Sequence, residues 1–154
     1  MSPKTPESGG TRRQFLRRTG GALCAVAVAV GRAGAQSEDR RRWSYDTGRP
    51  VFSSPTVVDG TVYVGSQNDR VYALDAGTGE RQWEFETEGS VDSSPLVVEM
   101  ALGEDRGPAR TVIVGSSDTT LYGIDPESGR ERWRFETGGR VESSPVVGGG
   151  TLFV

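Results

Sequence analysis

Three tryptophans set the frame of this chain. Trp43, Trp83 and Trp133 are each followed, at one fixed distance, by Ser-Ser-Pro: Ser53-Ser54-Pro55, Ser93-Ser94-Pro95 and Ser143-Ser144-Pro145. Between these landmarks an aromatic recurs at the second position after each Trp (Tyr45, Phe85, Phe135), a threonine at the fourth (Thr47, Thr87, Thr137) and a valine at the eighth (Val51, Val91, Val141). A fixed period outranks local propensity, because a repeat unit cannot bury its apolar face alone and must stack on its neighbours. The Trp interval is 40 residues and then 50. The longer one is explained by an insertion within Glu99 to Arg110, because Thr61-Val62-Tyr63-Val64 matches both Thr111-Val112-Ile113-Val114 and Thr151-Leu152-Phe153-Val154.

Each unit predicts four short strands. The first centres on the Trp and its alternate aromatic, the second runs from Ser-Pro through the following valines, the third is Thr-Val-Tyr-Val or its equivalent, and the fourth is Val71 to Leu74 or Leu121 to Ile124. Asp59-Gly60 and Gly149-Gly150 are tight-hairpin pairs, because both central residues can take positive φ. The 22 glycines of the 154 residues fit turns better than helix interiors. A 3.6-residue apolar rhythm, the mark of a helical solenoid, is absent. Four strands in roughly 40 residues is the proportion of a propeller blade. The expected fold class is all-β: β-propeller blades of four antiparallel strands, with repeat units at 43–82, 83–132 and 133–154. Val154 aligns with Val64 and Val114 in mid-blade. About two and a half blades are therefore expected, belonging to a ring of roughly eight, since closure takes about 4 to 8 blades. An N-terminal portion of a longer protein and an assembly of several copies are the two ways to complete it.

Ala73-x-Asp75-x-x-Thr78-Gly79-Glu80-x-x-Trp83 resembles the tryptophan-docking motif of pyrroloquinoline-quinone (PQQ) type propellers, Ala-x-Asp-x-x-Thr-Gly-x-x-x-Trp, at every named position. A second copy keeps Asp125, Gly129 and Trp133, with Gly123 for Ala and Ser128 for Thr. The chemistry agrees with a structural role. An Asp carboxylate accepts from backbone N–H groups two or three residues ahead, Gly supplies positive φ, and the Trp carries a large apolar surface. The resemblance implies that Trp83 and Trp133 fasten neighbouring blades.

The first 35 residues read as an export signal followed by a linker, 36–42. A basic segment with Lys4, Arg12, Arg13, Arg17 and Arg18 precedes a short apolar run, and Ala33-Gly34-Ala35 offers a small-x-small cleavage site after Ala35. Thr11-Arg12-Arg13-Gln14-Phe15-Leu16-Arg17 resembles the twin-arginine (Tat) signal, with Arg12, Arg13, Phe15 and Leu16 in the defining places. An extracytoplasmic location is implied, secreted or attached to the cell envelope. The apolar run is too short to span a bilayer comfortably. Membrane contact is thus expected only through this segment, left uncleaved as an anchor or lipidated at Cys24, the only cysteine.

After Ala35 the chain has 12 arginines, no lysine and 20 carboxylates, a formal charge of −8. No nucleic-acid partner is expected of so acidic a chain. Arginine without lysine in an acidic chain is also the composition of proteins adapted to high salt, or of a GC-rich genome. The lack of His, Cys and Lys there removes Ser-His and Cys-His nucleophiles, imidazole and thiolate zinc sites and Schiff bases. A carboxylate-pair glycosidase and an oxygen-ligated calcium site survive that filter. Asn68-Asp69 is a candidate pair of calcium ligands, and the insertion, with Glu99, Glu104, Asp105, Gly107 and Pro108, is expected as a longer loop of the kind that carries function. Repeated Asp75, Asp125 and Ser-Ser-Pro read as turn and strand-entry residues.

The PQQ-type resemblance carries two functional implications. Its dehydrogenases hold the quinone over calcium, with a vicinal disulfide stacked on it and an Asp as base. A chain without cysteine after Ala35 cannot form that disulfide, so no cofactor is expected of this segment, and PQQ and calcium belong to it only if further blades supply the site. The other branch comprises exported propellers that bind proteins, including the propeller lipoprotein of the outer-membrane β-barrel assembly machine. The expected function is an exported, non-catalytic binding or scaffold module whose partner is a protein or the remaining blades. The alternative is the N-terminal part of a PQQ-dependent dehydrogenase.

Overall fold

The computed structural model describes residues 41–101 and 107–154. The signal-segment residues Arg12, Arg13, Phe15, Leu16, Cys24 and Ala35 lie outside the described residues, as do Glu104 and Asp105 of the insertion. Two four-stranded antiparallel meanders and one hairpin account for all strands among them. The first sheet comprises β1 (Thr56–Val58), β2 (Thr61–Ser66), β3 (Arg70–Asp75) and β4 (Arg81–Glu86), hydrogen-bonded in that order. The second repeats it with β5 (Leu96–Ala101), β6 (Pro108–Gly115), β7 (Thr120–Ile124) and β8 (Glu131–Glu136). The hairpin is β9 (Val146–Gly148) with β10 (Thr151–Phe153).

Sequence units and sheets are offset by one strand. Trp83 and Trp133 open their units in sequence, yet they lie in β4 and β8, the last strand of each sheet. The expected order, with the Trp strand first, is therefore corrected: that strand pairs with the one before it, Trp83 opposite Ala73 and Trp133 opposite Gly123. The physical reason is chain length. The short Asp75–Gly79 turn between β3 and β4 leaves the strands adjacent and antiparallel, whereas nine residues separate β4 from β5 and carry the chain to the next sheet.

Hairpin chemistry follows the residues named for it. Asp59 and Gly60 take φ of 47° and 79°, and Gly149 and Gly150 take 57° and 80°, the signs a type I′ turn requires. The insertion is less of a loop than its composition implies. Glu99, Met100 and Ala101 pair with Arg110, Ala109 and Pro108, so its ends lengthen the β5–β6 hairpin beyond that of β1–β2. The residues 102–106 between them lie outside the described set.

Strands β2, β3, β6 and β7 are buried on both faces, which explains why Val-Tyr-Val and Val-Ile-Val run without polar alternation. Val62, Val64, Tyr72 and Leu74 face Trp43, Tyr45 and Val51. The opposite face of the same sheet, with Tyr63, Val71, Ala73 and Trp83, packs on Val112, Val114, Tyr122 and Ile124 of the second sheet. Ile113, Leu121 and Trp133 then face Val141 and Leu152 of the third unit. Sheets thus stack face to face in sequence order, as blades do around a propeller axis. Gly65 and Gly115 make room for the stacking: a Cβ there would lie 2.4 and 2.2 Å from Val91 and Val141, the repeated valines of the next linker.

Candidate functional site: the blade junctions

A bulge in each sheet positions the tryptophans. Ala73 pairs with Trp83 and Leu74 with Arg81, leaving Gln82 as the extra residue, and Arg132 is the extra residue between Gly123–Trp133 and Ile124–Glu131. A bulge bends and twists its strand and re-aims the neighbouring side chain. Trp83 here points across the junction to the turn of the next sheet, where its Nε1–H donates to the Pro126 carbonyl at 2.8 Å. The ring lies on Gly129 so closely that a Cβ there would be 2.8 Å from it. Trp43 repeats this one sheet earlier, donating to the Ala76 carbonyl at 3.0 Å and covering Gly79. Each motif turn therefore receives the tryptophan that precedes it in sequence: Asp75 to Gly79 holds Trp43, and Asp125 to Gly129 holds Trp83.

The receiving turn is built by its Asp. Asp75 Oδ1 accepts from the Gly77 and Thr78 N–H groups at 2.9 and 2.8 Å and from the Thr78 hydroxyl at 3.1 Å. Those donors, the Thr78 N–H foremost, hold its carboxyl below the usual carboxylate range. Asp125 Oδ1 accepts likewise from Glu127 and Ser128 N–H at 2.9 and 2.8 Å. Its Oδ2 also binds the guanidinium of bulged Arg132 at 2.5 Å. Burial pushes this carboxyl up, but Arg132 and the two amides outweigh it and bring the pKa down to about 2. Gly79 and Gly129, at φ of 76° and 67°, close the turns in a conformation that favours glycine.

Ser-Ser-Pro does more than open a strand. Ser53 Oγ donates to the Gly65 carbonyl at 2.8 Å and accepts from the Gly65 N–H at 2.9 Å; Ser93 does the same to Gly115 at 2.9 and 2.7 Å. The second serine links neighbours: the Ser54 N–H donates to Ser94 Oγ at 2.9 Å, and the Ser94 N–H to Ser144 Oγ at 3.0 Å. An aromatic pair accompanies each docked tryptophan, Tyr45 on Tyr72 beside Trp43 and Phe85 on Tyr122 beside Trp83, both with ring centroids 5.3 Å apart. The serine bridges were not foreseen, although the 40- and 50-residue spacings of Ser54, Ser94 and Ser144 are the offsets of residues at equal heights in successive blades.

Asn68 and Asp118 occupy one position in the two sheets with opposite polarity. Asn68 Nδ2–H donates to the Thr47 carbonyl at 2.7 Å and to Tyr72 OH at 2.5 Å, and its Oδ1 is buried without a partner. Asp118 Oδ2 instead accepts from the Glu88 N–H at 2.9 Å and the Tyr122 hydroxyl at 2.8 Å. Burial, reinforced by the Asp118 carboxylate, pushes the Tyr122 phenol up to about 12. Asn68 is thus engaged as a junction donor. Among the described residues no three His, Cys, Asp or Glu side chains come together as a metal-ligand set.

A polar cleft of about 440 Å³ opens at the same junction, between the β1–β2 hairpin and the lengthened β5–β6 hairpin. Tyr63, Pro126, Glu99, Glu127 and the Asp59–Arg110 ion pair between the two sheets line it. That pair, with side chains 48% and 71% exposed, adds little stability.

A family profile described as "PQQ: Glucose/ethanol/alcohol dehydrogenase, beta-propeller domain" matches residues 33–149. The chain belongs to the PQQ-type β-propeller family. No curated protein matches it. Similar solved structures include BamB from Moraxella catarrhalis, 25% identical over 63% of this chain and 27% of that one, with a TM-score of 0.51. Quinohemoprotein alcohol dehydrogenase ADHIIG from Pseudomonas putida HK5 is 26% identical over 70% of this chain and 17% of that one, at 0.54. The quinohemoprotein alcohol dehydrogenase of Comamonas testosteroni is 26% identical over 68% of this chain and 17% of that one, at 0.53. The PQQ-type chain therefore spans about a quarter of the BamB chain and a sixth of the dehydrogenases.

Proposed function

We propose that this PQQ-type propeller is an exported, non-catalytic binding or scaffold module of the cell envelope. One observation carries the reading: the repeated polar side chains Asp75, Asp125, Ser53, Ser93, Ser94 and Ser144 are spent on building blades and joining them. The organisation proposed is a Tat signal over 1–35, a linker over 36–42 and propeller from 43 to 154. The partner is a protein or further blades of the same ring. The likeness to BamB, one of the non-catalytic propellers to which the motif resemblance points, supports this reading.

The likeness to quinohemoprotein alcohol dehydrogenases favours a second reading, in which further blades complete a PQQ and calcium site. One assay separates the two. The purified protein is incubated with PQQ and calcium, and dye reduction is followed with alcohols and sugars. Absence of reduction and of retained quinone is the expected outcome; turnover would replace the scaffold reading with the dehydrogenase. For export, Arg12→Lys together with Arg13→Lys should retain the protein inside the cell. N-terminal sequencing of exported protein should begin at Gln36.

A further inference from the structure

Four charged side chains that depart from the repeat meet in one place. Glu127 stands in the second turn where the first has Gly77, and Arg132 is the bulge residue where the first sheet has Gln82. Glu99 and Arg110 pair in the part of the β5–β6 hairpin that has no counterpart in β1–β2. All four line the cleft of about 440 Å³ between the two sheets, which the first sheet completes with Thr61, Tyr63 and Gln82. That volume falls within the range of about 300–1,000 Å³ found for ligand pockets. Glu99 and Glu127 are exposed, and neither carboxylate has a hydrogen-bond or ion-pair partner among the described residues.

The lining selects the chemistry that can enter. Both guanidiniums are already held, Arg132 by Asp125 and Arg110 by Asp59, so an anion would have to displace a carboxylate from each. Tyr63 is the one aromatic among the described lining residues; it is 4% exposed, with its ring packed against Trp83, which leaves no open face for a sugar ring to stack on. What stays unpaired is negative: the Glu99 and Glu127 carboxylates, in a cleft that also holds the Gln82 amide, whose Oε1 accepts from the Thr61 hydroxyl at 3.2 Å. The geometry points to a recognition site for a guanidinium group, the side chain of an arginine on a partner protein, held by the Glu99 and Glu127 carboxylates. A planar guanidinium presents five N–H donors in a fixed fork, so it can serve two carboxylates that come from different segments, and it leaves water more readily than a compact ammonium does. The inference rests on the scaffold reading, in which the partner is a protein, and names the chemistry by which that partner is read.

The test titrates the full chain with a capped Gly-Arg-Gly tripeptide and with the same peptide carrying citrulline, which keeps the shape of arginine and drops its charge. Backbone and indole N–H resonances are followed by NMR at about 0.15 M salt, where exposed charges more than about 8 Å apart are largely screened. The arginine peptide should saturate and move the amide signals of Thr61, Gln82, Glu99 and Glu127, together with the indole N–H of Trp83, whose acceptor Pro126 lines the cleft. Glu99→Gln and Glu127→Gln, both at exposed positions, should each weaken binding about tenfold through loss of a charge-assisted hydrogen bond. Glu136→Gln, which removes an exposed carboxylate outside the cleft, should leave binding unchanged. Absence of saturation would overturn the inference, and so would equal affinity for the citrulline peptide or signal changes confined to residues outside the cleft. Equal weakening by Glu136→Gln would reduce the effect to the net charge of the chain and overturn the site. A lysine peptide that binds as tightly would overturn the guanidinium assignment in favour of any cation. Dye reduction reads catalysis and the titration reads the cleft, so the scaffold reading and this inference can fail separately.

Discussion

Trp83→Ala should be among the most damaging single substitutions in the described blades. The residue is 8% exposed and belongs to the core cluster shared by both sheets, with its ring 5.8 Å from that of Tyr63 and in contact with the Gly129 turn. Truncating a buried tryptophan costs about 3–5 kcal/mol. The lost hydrogen bond adds only about 0.5–1.5 kcal/mol, because the Pro126 carbonyl sits in a turn whose next two residues are exposed, where water replaces the indole. A total near 4 kcal/mol follows, with Trp83→Phe costing about 1–2 kcal/mol through the missing N–H and the smaller ring. Trp133 is the internal control: same repeat position, partly buried, indole unpartnered. Trp133→Ala should therefore cost only about 1–2 kcal/mol. Urea unfolding followed by circular dichroism, with m-values compared between variants, reads these differences. Equal losses for Trp83→Ala and Trp133→Ala would refute the argument, since they would show that docking across the junction contributes nothing beyond burial in the parent sheet.

Gly129→Ala should cost about 2 kcal/mol or more, combining positive φ with a Cβ pressed on the Trp83 ring, whereas Gly138→Ala, at φ 78° with open space around it, should cost about 1–2 kcal/mol from φ alone; equal melting shifts would show that the ring contact is slack. Ser93→Ala strands both the N–H and the carbonyl of Gly115 and should cost about 2–3 kcal/mol, against about 0.5–1 kcal/mol for Ser94→Ala, whose partner N–H is exposed, so the reverse order in urea midpoints would be decisive against the clamp. Asp125 is depressed to about 2 from an unfolded value of about 3.9. Its stabilising share is then fully present above about pH 4 and is lost as pH falls through about 2. The stability gap between the wild type and Asp125→Asn should narrow over that window, and a gap independent of pH would remove Asp125 from the acid response.

How much of this was legible in sequence follows from what repetition records. Trp43, Trp83 and the four-strand rhythm are visible because each position faces the same surroundings in successive blades. The strand that opens a sequence unit was misassigned to its own sheet, because periodicity fixes a repeat length and leaves its starting point free. Hydrogen bonding sets that starting point, and the offset of β4 and β8 shows it. The insertion between Glu99 and Arg110 looked like a loop because its residues are polar, while the pairing of Glu99 with Arg110 is set by a neighbouring strand that composition does not reveal. Arg132 was invisible as a partner of Asp125, because a bulge rather than a motif places it there.

Repeated contacts hold blades together, but identical junctions cannot tell a ring which blade follows which. The departures from repetition carry that information. At one position Asn68 offers donors to Thr47 and Tyr72, and at its equivalent Asp118 offers an acceptor to Glu88 and Tyr122. Exchanging the two would set a carboxylate against the Thr47 carbonyl and leave the first junction short of a donor, a mismatch inside partly buried surroundings where an unpaired polar group is costly. The Asp59–Arg110 pair joins the first and second sheets, because among the described hairpins the β5–β6 one is lengthened. Specific order therefore lies in a few substitutions laid over a common fastening. The same reasoning directs the search for a ligand-reading surface to positions that vary between units: Phe52, Asp92 and Glu142, which stand between the repeated valine and the clamping serine, and the cleft edged by Glu99 and Glu127.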